Sequence, residues 1–192
     1  MLRHYKGFLG EFDYHDDVFG VETKHCKDAL CYIGNDKAVS LPNGCTNTRY
    51  MFCGCELPEG FSLHESFDTS NVVDMTGMFY NSILPEGFSF GPNFNTGNVV
   101  DMTGMFESCH AHSTLNLGPM FSTKHVDFMD RMFAEAKFDN GLILGDNFDT
   151  SNVVSMKEMF RACEVGSKFS LGDKFDTSDV KYFGAMFYCF KF

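Results

Sequence analysis

Cysteine and histidine are the residues of this chain with the greatest capacity for chemistry, because both bind transition metals when their spacing allows it. The stretch CHAH supplies Cys109, His110 and His112. A second group lies towards the N-terminus and consists of His25, Cys26, Cys31, Cys45, Cys53 and Cys55. Zinc sites usually contain paired short spacings such as CxxC, and both groups are spaced irregularly. We therefore predict no metal site and no cofactor.

Motifs for nucleotide binding and metalloprotease chemistry are missing from the sequence. It contains no phosphate-binding GxxxxGK[ST] loop and no GxGxxG loop after a strand. It also lacks the zinc-binding motif HExxH, and we predict no GxSxG nucleophile elbow. Only scattered histidine, cysteine and acidic residues argue for an enzyme. We predict a non-enzymatic protein without catalytic residues.

Negative charge is concentrated in the middle of the chain. The whole chain has a formal net charge of −11, and the segment from Tyr50 to Thr123 contains no lysine or arginine. The acids of this segment are Glu56, Glu59, Glu65, Asp68, Asp74, Glu86, Asp101 and Glu107. We predict that they form an acidic face that docks on a basic surface of another protein, such as one that normally holds nucleic acid. The alternative is a solvated surface that keeps a phenylalanine-rich protein soluble. The same charge argues against direct binding of DNA or RNA.

A repeated element must position these side chains. FDTSNVVDMTGMF begins at Phe67, FNTGNVVDMTGMF begins at Phe94, and related stretches begin at Phe121, Phe148 and Phe175. A degenerate copy begins at residue 40. A constant period of 27 residues is typical of a solenoid, in which stacked repeats share one core. We count positions from the first residue of each repeat, taken as zero, and call the residues that share a position a column.

Two patterns within each repeat predict a helix, a turn and a strand. Apolar residues at +5, +8, +11 and +12 would lie on one face of a short helix. Ten of the twelve methionines fall in columns +8 and +11, which indicates core packing rather than a methionine-rich groove or a soft-metal site. Apolar residues at +21 and +23, such as Phe61 and Leu63, predict a short strand. The predicted fold class is an α/β solenoid of about five to six helix-turn-strand repeats.

The domain organisation follows the period. Residues 1–39 lie outside it, and we predict that they form an N-terminal cap containing two strands, DVFGVE and ALCYIG. Residues 40–192 form the predicted repeat solenoid, with a degenerate repeat from 40 and clear repeats from 67, 94, 121, 148 and 175.

Column +15 requires a small side chain. It contains Cys55, Ser82, Cys109, Ala136 and Cys163. Cysteines two repeats apart would lie roughly 10 Å apart, beyond the reach of a disulfide. We interpret them as buried free thiols, which fits a reducing compartment.

Column +2 consists entirely of threonine in the clear repeats. Its members are Thr69, Thr96, Thr123, Thr150 and Thr177. We predict a hydroxyl ladder that serves the helix starts. The alternative is an exposed array of the kind found on ice-binding solenoids, and the acids at Asp68, Asp149 and Asp176 in the adjacent column argue against it.

The motif F-D-T-S-N-V-x-x-M-x-x-M-F resembles the BspA-like leucine-rich-repeat family of Mycoplasma- and Firmicutes-type surface proteins. The resemblance covers residues 40–192. It implies a right-handed, leucine-rich-repeat-like solenoid that binds other proteins, often in adhesion, and it supplies no catalytic residue. The chain departs from such surface proteins because it shows neither a signal peptide nor an anchor.

Two hypotheses for function remain. The first residues lack the apolar stretch of a secretory signal, so we expect a cytoplasmic protein, or a cell-surface protein if the chain has been trimmed. The first hypothesis is an interaction protein, monomeric or an end-to-end dimer. It would mimic nucleic acid and inhibit a host defence nuclease on behalf of a phage or mobile element. The alternative is a fragment of a bacterial surface adhesin. Neither requires a membrane-embedded segment.

Overall fold

The computed structural model describes residues 2–7, 10–15, 38–39, 41, 44–57, 59–63, 65 and 67–192. The two strands predicted within the cap lie outside these residues. Short strands account for all of the regular secondary structure in the described ranges. They are β1 (Leu2–Gly7), β2 (Gly10–His15), β3 (Ala38–Val39), β4 (Ser62–Leu63), β5 (Ile83–Leu84), β6 (His110–Ala111), β7 (Thr114–Asn116), β8 (Lys137–Phe138), β9 (Gly141–Ile143), β10 (Glu164–Val165) and β11 (Lys168–Ser170).

Parallel pairing at the repeat period defines the architecture. β5, β6, β8 and β10 form one sheet, and β7, β9 and β11 form another. In the first sheet Ile83 pairs with His110, His110 with Lys137, and Lys137 with Glu164. Isolated bridges continue the same spacing elsewhere. The chain is therefore a β-solenoid with coils of about 27 residues, as the period predicted. β1 and β2 form a separate antiparallel hairpin, and β3 pairs with β4 in parallel.

The predicted helix is wrong, and the α/β fold class with it. Two columns of each coil have a left-handed backbone, with φ near +50° to +70°, which an α-helix does not allow. Column +10 contains Tyr50, Gly77, Gly104, Arg131, Glu158 and Ala185; column +14 contains Gly54, Asn81, Ser108, Glu135, Ala162 and Cys189. The segment instead forms successive tight turns that also bind the next coil. Met78 N–H donates to Met75 O (3.1 Å), while Phe79 N–H donates to Met105 O of the next coil (2.8 Å). No described segment is a helix that could cross a membrane.

The core confirms that the methionine and phenylalanine columns pack inwards. Rings at +12 stack face to face along the solenoid, with centroids 5.4 Å apart for Phe79 and Phe106 and 5.6 Å apart for Phe106 and Phe133. The methionines from 75 to 159 in columns +8 and +11 are fully buried. Each coil alone would expose this apolar edge, so burial depends on stacking.

The predicted strands at +21 to +23 correspond to β4, β7, β9 and β11, shifted by about one residue. Residues 88–90 form no strand. There the N–H of Gly87 donates to the side-chain Oγ atom of Ser113 (3.3 Å) and not to a backbone carbonyl of the next coil, as it would in a strand ladder. The strands at +16 and +17 were not predicted, because two residues are too few for an alternation to be visible.

Candidate protein-binding surface and histidine–aspartate cluster

The eight central acids are distributed around the coil. Glu56, Glu59, Glu65, Asp68 and Glu86 are exposed, whereas Asp74, Asp101 and Glu107 are half-buried. Two pairs of acids occupy the same column in consecutive coils. Asp74 and Asp101 share column +7 and are joined by a parallel bridge, and Glu59 and Glu86 share column +19. Each of the other four acids stands in a column of its own. Column positions thus bring together two short rows of carboxylates.

Asp74 and Asp101 also have local structural partners. Asp74 Oδ1 accepts the N–H of Thr76 (2.9 Å), and its Oδ2 lies 3.3 Å from Arg49 Nη1. Asp101 Oδ1 accepts the N–H of Thr103 (2.8 Å). These bonds hold each carboxylate in one orientation at the edge of the coil.

Glu107 belongs to a network of ion pairs. Burial raises the pKa of the Glu107 carboxyl, and a hydrogen bond from Arg131 opposes this effect. Arg131 Nη2 lies 2.5 Å from Glu107 Oε1, and its guanidinium also approaches Glu135 (3.7 Å) and Glu158 (3.6 Å). Arg161 pairs with both Glu135 and Glu158. A cation from outside the acidic segment therefore offsets part of its charge.

An apolar stripe adjoins the row formed by Asp74 and Asp101: its two valines share column +6 beside the row, and Phe128 continues the row itself in column +7. Val73, Val100 and Phe128 come from three consecutive coils, and their exposed fractions are 46%, 39% and 42%. Val100 N–H donates to Val73 O (2.9 Å), so the backbone beneath the stripe is a regular ladder. We call these three residues the apolar stripe. The second valine of each NVVDM motif was the sequence signal for Val73 and Val100, but the helix interpretation concealed which valine faces solvent; in the third coil Asp127 stands in that column, so the pattern gave no sign of Phe128.

The threonine ladder is confirmed, but it joins neighbouring coils instead of serving helix starts. Thr123 Oγ1 donates to Asp149 O (2.8 Å) and accepts the N–H of Asp149 (2.7 Å). The hydroxyls of Thr69, Thr96 and Thr150 form the same pair of hydrogen bonds, one donated and one accepted, with the backbone of the next coil. These four hydroxyls are inside the solenoid, which rules them out as an ice-binding face.

The cysteines of column +15 are buried free thiols, as predicted. Burial raises the pKa of Cys55, Cys109 and Cys163 to about 12. Cys109 is buried in the core, and its Sγ atom is not among the ligand atoms that cluster around the two histidines that follow it. His25, Cys26 and Cys31 lie outside the described residues.

His110 and His112 form a cluster with an acid of the next coil. His110 Nε2 lies 3.1 Å from Asp139 Oδ2, and His112 Nδ1 lies 3.5 Å from the same oxygen. Lys137 Nζ contacts the other oxygen, Oδ1, at 2.9 Å. The hydrogen bond from Lys137 is the main reason that the pKa of Asp139 falls to about 2. Both histidines stand out in the sequence as possible ligands and Asp139 does not, although the period places it in the column of His112.

Residues 87–91 spell GFSFG, which matches the GxSxG pattern of serine hydrolases. That pattern has catalytic meaning on a sharp turn between a strand and a helix. Ser89 is exposed in a segment without regular structure. It borders an open groove of about 390 Å³ that Phe90, Pro92 and Met120 also line. The local structure is therefore not a nucleophile elbow.

No curated protein and no solved structure matches this chain. A family model described as "Mycoplasma protein of unknown function, DUF285" matches residues 46–165 and, in a second overlapping match, residues 119–192. Together these matches include every coil from the degenerate first one onwards. On this coverage, the chain belongs to the DUF285 family of Mycoplasma proteins of unknown function.

Proposed function

We propose that this chain is a non-enzymatic protein-binding solenoid that docks through the apolar stripe and the carboxylates beside it. The observation that carries the proposal is the exposure of Val73 and Val100 in register on two consecutive coils and of Phe128 on the third, where it continues the column of Asp74 and Asp101. Protein interfaces commonly combine an apolar centre with a polar rim. An exposed apolar patch on a folded surface marks this kind of contact.

The partner that fits this surface is a protein with an apolar centre and lysine or arginine at its rim. The segment from Tyr50 to Thr123 has no lysine or arginine of its own. Arg49 and Arg131 reach Asp74 and Glu107 from outside it, so an approaching basic surface meets attraction mainly at the remaining acids. The coil spacing of about 4.8 Å would set the distance between aligned carboxylates. Rigid backbone ladders beneath the stripe limit the entropy lost on docking.

Within this proposal, the finer hypothesis is an intracellular inhibitor. Its acids would occupy a basic cleft that normally holds nucleic acid, and the target would be a host defence nuclease opposed by a phage or mobile element. The rows Asp74–Asp101 and Glu59–Glu86 support it, since carboxylates at regular spacing resemble a phosphate backbone. The protein itself would bind neither nucleic acid nor membrane.

Family membership favours a second candidate, a fragment of a surface adhesin of the BspA-like, right-handed leucine-rich-repeat type. The matching family is named for Mycoplasma proteins. In this case the same stripe would bind an extracellular protein, and the acids would mainly provide solubility.

Affinity capture with matched surface variants tests the proposal. Val100→Lys places a charge in the apolar stripe, and Ile143→Lys places the same charge at a residue of similar exposure in another column. Asp101→Asn removes a charge but keeps the Oδ1 atom that accepts the N–H of Thr103. We expect a partner that the native chain and Ile143→Lys capture, and that Val100→Lys and Asp101→Asn lose.

Two observations distinguish the inhibitor from the adhesin: where the partner comes from, and whether nucleic acid competes for its binding. Displacement of a cytosolic partner by duplex DNA or RNA would support the inhibitor. A partner found only among extracellular proteins would support the adhesin. If Val100→Lys and Ile143→Lys retain the same partners with equal affinity, the stripe is not the docking surface.

A further inference from the structure

The histidine–aspartate cluster is built on rigid backbone. His110 lies in β6 and His112 follows that strand, so only Ala111 separates them and their side chains leave the same face. The parallel register of β6 with β8 places the next coil beside them. Lys137 N–H donates to Cys109 O (2.8 Å), and Asp139 N–H donates to Ala111 O (3.1 Å). The three side chains therefore project from backbone segments that are hydrogen-bonded to each other.

The spacing of the polar atoms matches a metal site. One nitrogen of each histidine and one oxygen of Asp139 all lie within 4.8 Å of one another. In a tetrahedral zinc site with bonds of about 2.0–2.1 Å, neighbouring ligand atoms are roughly 3.3 Å apart. The two nitrogen–oxygen distances, 3.1 and 3.5 Å, already bracket this value. The third distance, between the two histidine nitrogens, is at most 4.8 Å.

The surroundings orient the three ligand atoms for metal binding and leave them accessible to solvent. Lys137 occupies Oδ1 of Asp139 and so turns Oδ2 towards the histidines. Metal-binding carboxylates commonly have such an outer partner, which orients them. The side chain of His112 is 51% exposed, so an ion and a water molecule can reach the cluster from solvent.

We propose that His110 Nε2, His112 Nδ1 and Asp139 Oδ2 bind a divalent transition-metal ion of the zinc type, with water at the remaining position. Two imidazoles and one carboxylate are a donor set that such ions accept. The ion would join two neighbouring coils at one edge of the first sheet. This site is independent of the apolar stripe, which comprises Val73, Val100 and Phe128.

Cobalt titration of the untagged, metal-free, full-length chain tests the site. Co²⁺ reports its ligands through visible absorption, and a thiolate ligand adds an ultraviolet charge-transfer band. We expect one equivalent of Co²⁺, bound without the thiolate band and displaced by Zn²⁺. His112→Ala and Asp139→Asn should each weaken binding at least tenfold, since each removes one of three protein ligands.

His125→Asn is the matched control. His125 lies outside the cluster and contacts Gly97 O through Nδ1 (2.7 Å). Asn98 and Asn152, in the same column, form the equivalent bond with their side-chain amides, so asparagine preserves the structure. This variant should bind Co²⁺ as the native chain does. Absence of binding at millimolar Co²⁺, a thiolate band, or unchanged affinity in both ligand variants would overturn the proposal. Circular dichroism of every variant confirms that each is folded.

Discussion

Thr123→Val should lower the free energy of unfolding by about 1–3 kcal/mol, although valine and threonine have nearly the same shape. Thr123 is fully buried, and its hydroxyl both donates to Asp149 O and accepts the N–H of Asp149. Valine removes the hydroxyl and leaves Asp149 O without its donor, whereas the Asp149 N–H keeps a second acceptor, Asn147 O (3.0 Å). A buried group without a partner costs about 1–3 kcal/mol. Asp149 is only half-buried, so water can offset part of this cost.

Urea denaturation followed by far-ultraviolet circular dichroism measures this effect, because the chain has no tryptophan for fluorescence. Thr123→Ser keeps the hydroxyl and loses one buried methyl, so its cost should be about 1 kcal/mol. Thr177→Val is the positional control, since Thr177 is exposed and water can reach its hydroxyl. If Thr123→Val is no more destabilising than Thr123→Ser or Thr177→Val, the ladder does not stabilise the stack as we infer.

Three further predictions use the same denaturation assay. Gly141→Ala should lower the free energy of unfolding by about 3 kcal/mol or more, since φ is +139° and the new Cβ would lie 2.2 Å from a backbone carbonyl oxygen of the next coil. Gly87→Ala is the control and should cost only about 1–2 kcal/mol, because φ is +72° and the space around it is open. Equal costs for the two substitutions would contradict this account. Phe133→Ala should cost about 3–5 kcal/mol and Phe187→Ala clearly less, because Phe133 is fully buried and Phe187 is 41% exposed; the reverse order would contradict the stacked core. Burial raises the pKa of the Cys109 thiol from about 9 to about 12, so the unfolded chain releases this proton first and the free energy of unfolding should fall between these pH values. Cys109→Ala should show a shallower fall, and an unchanged slope would mean that this thiol is not buried in its neutral form.

The sequence was sufficient to predict the stacking period and most of the interior. Columns such as +12, with Phe79, Phe106 and Phe133, keep one residue type because each ring stacks on its counterpart in the next coil. Column +15 accepts cysteine, serine or alanine because only a small side chain fits there. Both features depend on translation by one coil, and the sequence displays that translation directly.

The helix could not be excluded from the apolar pattern alone, because tight turns that point every third or fourth side chain inwards produce the same spacing. Gly77 and Gly104 in column +10 were the available signal, since glycine readily adopts a positive φ. Arg131 and Glu158 adopt a similar φ in the same column, with no sign of it in their residue types. Stacking against neighbouring coils here outweighs the local preference of the residue.

The candidate sites illustrate why function is harder to predict than stacking in a solenoid. A site needs side chains that are unlike one another, so a repeated column does not reveal it. Asp139 stands where the previous coil has His112, and only the 27-residue translation shows that they are neighbours. The 27-residue translation also shows which central acids are neighbours. It places Asp74 beside Asp101, whereas the residue it places beside Asp68, in column +1 of the next coil, is Asn95. A partner that recognises charge on this protein should therefore depend more on Asp101 than on Asp68, which the binding of Asp101→Asn and Asp68→Asn can compare directly.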